Sequence, residues 1–187
     1  MSLNATPSGE RVHIGFFGKR NAGKSSIVNA VTGQDLAVVS DVLGTTTDPV
    51  SKAMELLPIG PVVIIDTPGI DDIGALGELR VRKTKQILNK TDIAVLVIDA
   101  QQGITDVEED LIALFQAKEI KYLIVYNKVD LLEDVSGITV DDHVCLASAV
   151  NKVGIELLKE KIGKLAAVEG SDRCIVADLI QPGDFVV

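Results

Sequence analysis

The sequence predicts an α/β fold: a mostly parallel six-stranded sheet with one antiparallel edge strand and helices on both faces. Three observations lead there. Short Val/Ile-rich runs alternate along the chain with longer segments of helical period. Most of those runs are apolar at successive positions, which marks strands covered on both faces. One run, 50–57, alternates instead and is followed by "PIGP", so it reads as an edge strand turning into an antiparallel neighbour.

Residues 1–10, "MSLNATPSGE", are polar and read as a disordered lead without the apolar stretch of a secretion signal. The first strand is expected at 12–17. "GKRNAGKS" (18–25) then runs into a helix at 24–32. The alternating strand 50–57 and a buried strand 62–66 follow, then a helix at 78–89. Strand 93–99, "IAVLVID", precedes a helix at 105–117, where Thr105 as cap and Glu108 three residues on form a start signal. Strands 122–127 and 143–147 and a helix at 152–168 complete a domain spanning 11–169. The stretch 170–187, "GSDRCIVADLIQPGDFVV", does not continue the pattern. Its strand-like run is expected to be a linker and the start of a downstream domain.

The 187 residues suit one such domain, and 47% of them are hydrophobic. Aromatics are 3%, so the core must be built from Val, Ile, Leu and Ala. The formal net charge of −9 repels nucleic-acid backbones and anionic membranes, so neither is an expected partner. Cys145 and Cys174 stand 29 residues apart with no CxxC pair and no Cys/His cluster. That argues against an iron–sulfur cluster held by this chain alone and leaves a disulfide open. A reduced, cytoplasmic protein is expected. The longest apolar run, 93–98, is far too short to span a bilayer.

"GKRNAGKS" has Gly, four residues, then Gly-Lys-Ser, between a predicted strand and a predicted helix. That is the setting of a phosphate-binding loop, and the fold becomes that of a P-loop NTPase. Backbone N–H groups surround an anion there, and the helix N-terminus adds partial positive charge. The expected contacts are Gly18, Asn21, Ala22, Gly23, Lys24, Ser25 and Ser26. Lys24 meets the β- and γ-phosphates, and Ser25 gives its hydroxyl to Mg²⁺. A plain glycine turn with a solvated lysine is the alternative, and the flanking elements disfavour it.

"NKVD" (127–130) chooses the base. The Asp130 carboxylate can accept from guanine N1–H and the exocyclic amine, which adenine does not offer. Asn127 would tie this loop to the phosphate loop and the base, and the stem of Lys128 would cover the ring. An ATPase is disfavoured accordingly. In "DTPG" (66–69), Asp66 would reach Mg²⁺ through water and the Gly69 N–H the γ-phosphate. "GTTTD" (44–48) should supply a threonine to Mg²⁺. "ASA" (147–149) places the N–H groups of Ser148 and Ala149 near guanine O6. His13 and His143, in or beside strands, read as structural.

Taken together and in this order, "GKRNAGKSS", "GTTTD", "DTPG", "NKVD" and "SA" resemble a translation-factor-class GTPase of the TrmE/Era type. The segment "PIGPVVIIDTPGIDD" (58–72) is similar to the GTPase domain of the HydF family, which matures iron–iron hydrogenase. The resemblance implies GTP and GDP as ligands. It also implies dimerisation and cluster-binding domains downstream, and other maturases or the hydrogenase as partners.

It further implies how hydrolysis is helped. Ras-like enzymes orient water with a glutamine after DxxG; here that position is Ile70, which cannot. TrmE-type GTPases instead hold K⁺ through a phosphate-loop asparagine, matched by Asn21, and through the loop before GTT, here Ser40, Val42 and Thr45. By the same match Thr46 is the Mg²⁺ threonine. Asn21 as an ordinary turn asparagine is the alternative. Asp71, Asp72 and Glu78 are candidate water-orienting acids, none singled out. The leading expectation is a slow, K⁺-stimulated GTPase switch. The second is a nucleotide-responsive interaction module in which binding matters more than hydrolysis.

Overall fold

The structure is a computed structural model, and it describes residues 11–33, 50–67 and 84–170. Six strands form one sheet: β1 (Val12–Phe17), β2 (Val50–Leu56), β3 (Gly60–Asp66), β4 (Ile93–Asp99), β5 (Lys121–Asn127) and β6 (Val144–Leu146). Their spatial order is β2-β3-β1-β4-β5-β6. Five run parallel, and β2 alone is antiparallel, paired to β3. This is the predicted architecture. From β1 the chain runs out to the edge strand β2, returns through β3 beside β1, and then crosses to β4 on the other side. The carboxyl end of β1 therefore lies where the order reverses, which is where such sheets bind ligands.

Among the described residues, α1 (Lys24–Thr32), α2 (Asp106–Ala117) and α3 (Ile155–Gly170) cover the sheet. Residues 84–88 are also helical, within the predicted helix 78–89, whose first residues lie outside the described set. Strand period sorts the core into two layers. Every residue of β4 is buried. Ile93, Val95 and Val97 join the cluster containing Ile27 and Val31 of α1 and Leu158 and Ile162 of α3. Ala94, Leu96 and Ile98 join the opposite cluster, with Leu111 and Phe115 of α2. The unbroken apolar run of β4 is thus the direct consequence of helices on both of its faces.

β2 behaves as an edge. Met54 and Leu56 are buried while Ser51, Lys52, Ala53 and Glu55 are exposed, and the charges discourage a further strand from adding there. Several boundaries shift by one to three residues from expectation. β6 is shorter than 143–147, with His143 exposed before it. The last helix begins at residue 155 and not 152, because Ser148 and Val153 close a turn by reciprocal backbone bonds of 3.0 and 3.1 Å. Helical geometry can begin only beyond that closure. At the N-terminus of α2 the capping box forms: the Glu108 carboxylate accepts from the Thr105 backbone N–H at 3.0 Å. The stretch 1–10 and residues 171–187, with Cys174, lie outside the described residues.

Phe115 is fully buried with its ring centroid 5.4 Å from that of Phe17. Phe115→Ala is expected to cost about 3–5 kcal/mol in urea unfolding. Leu57→Ala, at a side chain 75% exposed, should stay within about 0.5 kcal/mol. Similar losses for the two would contradict this core.

Candidate nucleotide-binding site

The phosphate loop occupies the carboxyl end of β1. Gly18, Asn21 and Gly23 have φ of 142°, 59° and 88°, so three of the six residues between β1 and α1 lie at positive φ and curl the backbone. Gly23 also permits a close crossing: a Cβ there would fall 2.2 Å from the Asn127 amide nitrogen. α1 starts immediately after, with no side-chain cap hydrogen bond and no acid in its first turn. Its leading N–H donors are therefore left for an anion. Lys24 is buried, and its Nζ donates across the loop to the Lys19 carbonyl at 2.7 Å.

Asp66, at the carboxyl end of β3, sits beside that helix start. Ser25 Oγ donates to Asp66 Oδ2 at 3.3 Å. The other carboxylate oxygen, Oδ1, is buried with no hydrogen-bond partner. Burial pushes this carboxyl above the usual range, partly offset by the nearby Lys24 ammonium and the Ser25 hydroxyl. A hydroxyl and an underpartnered buried carboxylate form an oxygen donor set that fits a hard divalent cation such as Mg²⁺. No group of three or more His, Cys, Asp or Glu side chains gathers for a metal among the described residues.

The base-reading half is tied to the phosphate loop through Asn127, which is 2% exposed. Its Nδ2 donates to the Ala22 carbonyl at 3.0 Å, and its Oδ1 accepts from the Ala149 N–H at 3.1 Å. One side chain thus joins the loops after β1, β5 and β6. The Val129 N–H donates to the Ala147 carbonyl at 3.2 Å, closing the last two together. Asp130 follows in a short 3₁₀ turn and is exposed, and Ser148 is fully buried. A cleft of ≈ 400 Å³ between α1 and the loop after β6 has Ser26 and Ala149 in its lining, two of the predicted contacts.

One supporting acid escaped the sequence reading. Lys128, at φ 68°, donates through Nζ to Asp99 Oδ2 at 2.6 Å, and Asp99 Oδ1 accepts from the Gln101 N–H at 3.0 Å. The signal was a single acid ending an otherwise apolar strand. The predicted Ser40, Val42, Thr45, Thr46 and Gly69 lie outside the described residues, as do Ile70, Asp71, Asp72 and Glu78. The histidines sit apart from these loops. The His13 N–H and ring meet Asp92 at the start of β1, and His143 stacks on Tyr122.

The family model described as "50S ribosome-binding GTPase" matches residues 13–128. The tRNA modification GTPase MnmE of Chromobacterium violaceum is 35% identical over 168 residues, 88% of this chain and 37% of that protein. MnmE of Aquifex aeolicus is 37% identical over 161 residues, 83% and 34% respectively. The chain thus spans about a third of the length of these curated relatives. Among solved structures, the FeoB G-domain of Methanococcus jannaschii is 26% identical with a TM-score of 0.59, covering 84% of this chain and 98% of that one. The family match runs from β1 through the phosphate loop and Asp66 to Lys128, and the chain belongs to this family: it is a GTP-binding, GTP-hydrolysing P-loop domain of the TrmE/Era type.

Proposed function

We propose that the domain is a K⁺-stimulated GTPase switch of a hydrogenase-maturation scaffold of the HydF kind. The observation that carries the hydrogenase assignment is the segment 58–72, "PIGPVVIIDTPGIDD", through its similarity to that family. The relatives described above act under another name, tRNA modification. A net charge of −9 weighs against a broad nucleic-acid surface on this domain. The setting proposed is the cytoplasm, with the partners the resemblance implies: dimerisation and cluster-binding domains, other maturases and the hydrogenase.

The reaction is in-line attack of water on the γ-phosphate of GTP, and the protein contributes position and charge. Loop N–H groups of Gly18, Asn21, Ala22, Gly23, Lys24, Ser25 and Ser26 hold the phosphates, and Lys24 leaves the Lys19 carbonyl to meet the β- and γ-oxygens. Gly69 donates its N–H to the γ-phosphate. Ser25, Thr46 and Asp66 would hold Mg²⁺, which when bound draws off negative charge from the phosphate oxygens. Asn21, Ser40, Val42 and Thr45 would hold K⁺, which supplies charge where other GTPases use an arginine. Asp130 reads the guanine edge, Lys128 covers the ring, and Ser148 and Ala149 face O6. Ile70, in place of a water-orienting glutamine, favours the second reading, in which nucleotide occupancy itself alters partner contacts.

Deleting the gene is expected to abolish iron–iron hydrogenase activity and to leave tRNA modification intact. The reverse phenotype would transfer the role to that of the relatives. Replacing Na⁺ by K⁺ should raise turnover, and Asn21→Ala should remove that gain. Equal rates in both salts would eliminate the K⁺ role.

Asp66 supplies a prediction with a worked sign. Its carboxyl is pushed above the usual range by burial, so its protonated form favours the fold. That stabilisation is full below the unfolded carboxylate range and is lost as pH rises through the raised value. Asp66→Asn should therefore raise the thermal midpoint of the nucleotide-free protein at neutral pH while lowering Mg²⁺-dependent turnover by about a hundredfold or more. A fall in both would show that Asp66 supports the fold through contacts other than its charge.

A further inference from the structure

Lys19 lies in the phosphate loop, yet its ammonium sits on the start of α2. It donates to the Thr105 hydroxyl and forms an ion pair with Glu108 at 3.2 Å. Glu108 is the third helical residue of the capping box, and its side chain is 3% exposed. The same carboxylate oxygen accepts from the Thr105 N–H and hydroxyl. On its other side, the Lys19 carbonyl accepts from Lys24 Nζ at 2.7 Å and from the Ala22 N–H at 3.4 Å. Residue 19 is therefore joined outward to α2 and inward to the lysine that meets the nucleotide.

The capping box by itself accounts for the start of α2 and needs no lysine. A buried ion pair seldom gains stability over an apolar pair of the same volume, because both charges lose their water. What it does provide is direction. An ammonium held between a hydroxyl and a carboxylate has one position, whereas an apolar side chain tolerates several. Affinity for phosphate depends on N–H donors being held within a fraction of an ångström, so the placement of the loop matters more than its composition.

We infer that Lys19 and Glu108 are a positioning pair that holds the first half of the phosphate loop against α2 in its nucleotide-binding geometry. Lys19 is not a phosphate ligand, and α2, which carries none of the GTPase motifs, belongs to the binding machinery through Glu108. The inference rests on the GTPase family assignment and is independent of the hydrogenase and K⁺ readings.

The test is titration of the full chain with N-methylanthraniloyl-GDP at a temperature where circular dichroism shows each variant folded. Lys19→Met is expected to raise the Kd roughly tenfold, and Lys19→Arg to restore most of it. Glu108→Asp keeps the charge but withdraws it by one methylene, and should weaken binding a few-fold. The uncharged double variant Lys19→Met/Glu108→Gln, which keeps an acceptor for the Thr105 N–H, should hold the wild-type thermal midpoint and still bind GDP weakly. A purely structural pair predicts the opposite, with affinity returning along with stability. Wild-type affinity in the double variant, or in Glu108→Asp, would overturn the inference. Should Lys19→Met or the double variant fail to fold, Glu108→Asp decides alone.

Discussion

The amide of Asn127 is the constraint on which the site depends. Three loops leave three different strands, and nothing in sheet pairing dictates how far apart their tips stand. Asn127 sets that spacing by donating to the Ala22 carbonyl and accepting from the Ala149 N–H. Being buried, both bonds are shielded from competition by water, and neither end can be dropped without leaving a polar group unpaired. An aspartate here would lose the donor. Gly23 is the other half of the same contact, since a Cβ at that point would occupy the space of the amide nitrogen. The phosphate-binding and base-reading halves are thereby tied together through one buried side chain.

Electrostatics in this protein work locally against a global field. A chain of net charge −9 binds a polyanionic nucleotide, so attraction must come from groups arranged at short range. The uncapped start of α1 and the Lys24 ammonium supply it. Asp66 is the cost: a carboxylate partly desolvated, one oxygen unpartnered, tolerated beside a lysine. Such groups persist where a cation completes them, which links a destabilising feature of the fold to the chemistry of its site.

A second tier of acids supports the lysines of the motifs. Asp99 holds Lys128 and Glu108 holds Lys19, each carboxylate largely withdrawn from solvent. Both acids belong to the segment from the end of β4 into α2, which carries no nucleotide motif. The segment passes along the rim between the loops after β1 and β5, because β4 lies between β1 and β5 in the sheet. Strand order therefore delivers two anchors to a site whose direct contacts come from elsewhere.

The sequence by itself determined the layers, the edge strand and the curled loop that follows β1. Apolar runs report burial on both faces, alternation reports an edge, and glycine spacing reports a curled loop before a helix. These are local properties of the chain. What it left undecided are partners remote in sequence: Lys19 with Thr105, 86 residues apart, and Lys128 with Asp99, 29 apart. Glu108 was legible only as a helix cap, and the first turns of α3 were misplaced by three residues because Ser148 and Val153 pair across a turn that periodicity does not encode. Such contacts depend on strand order and register, which fix where separate loops end, and those exist only once the sheet has formed.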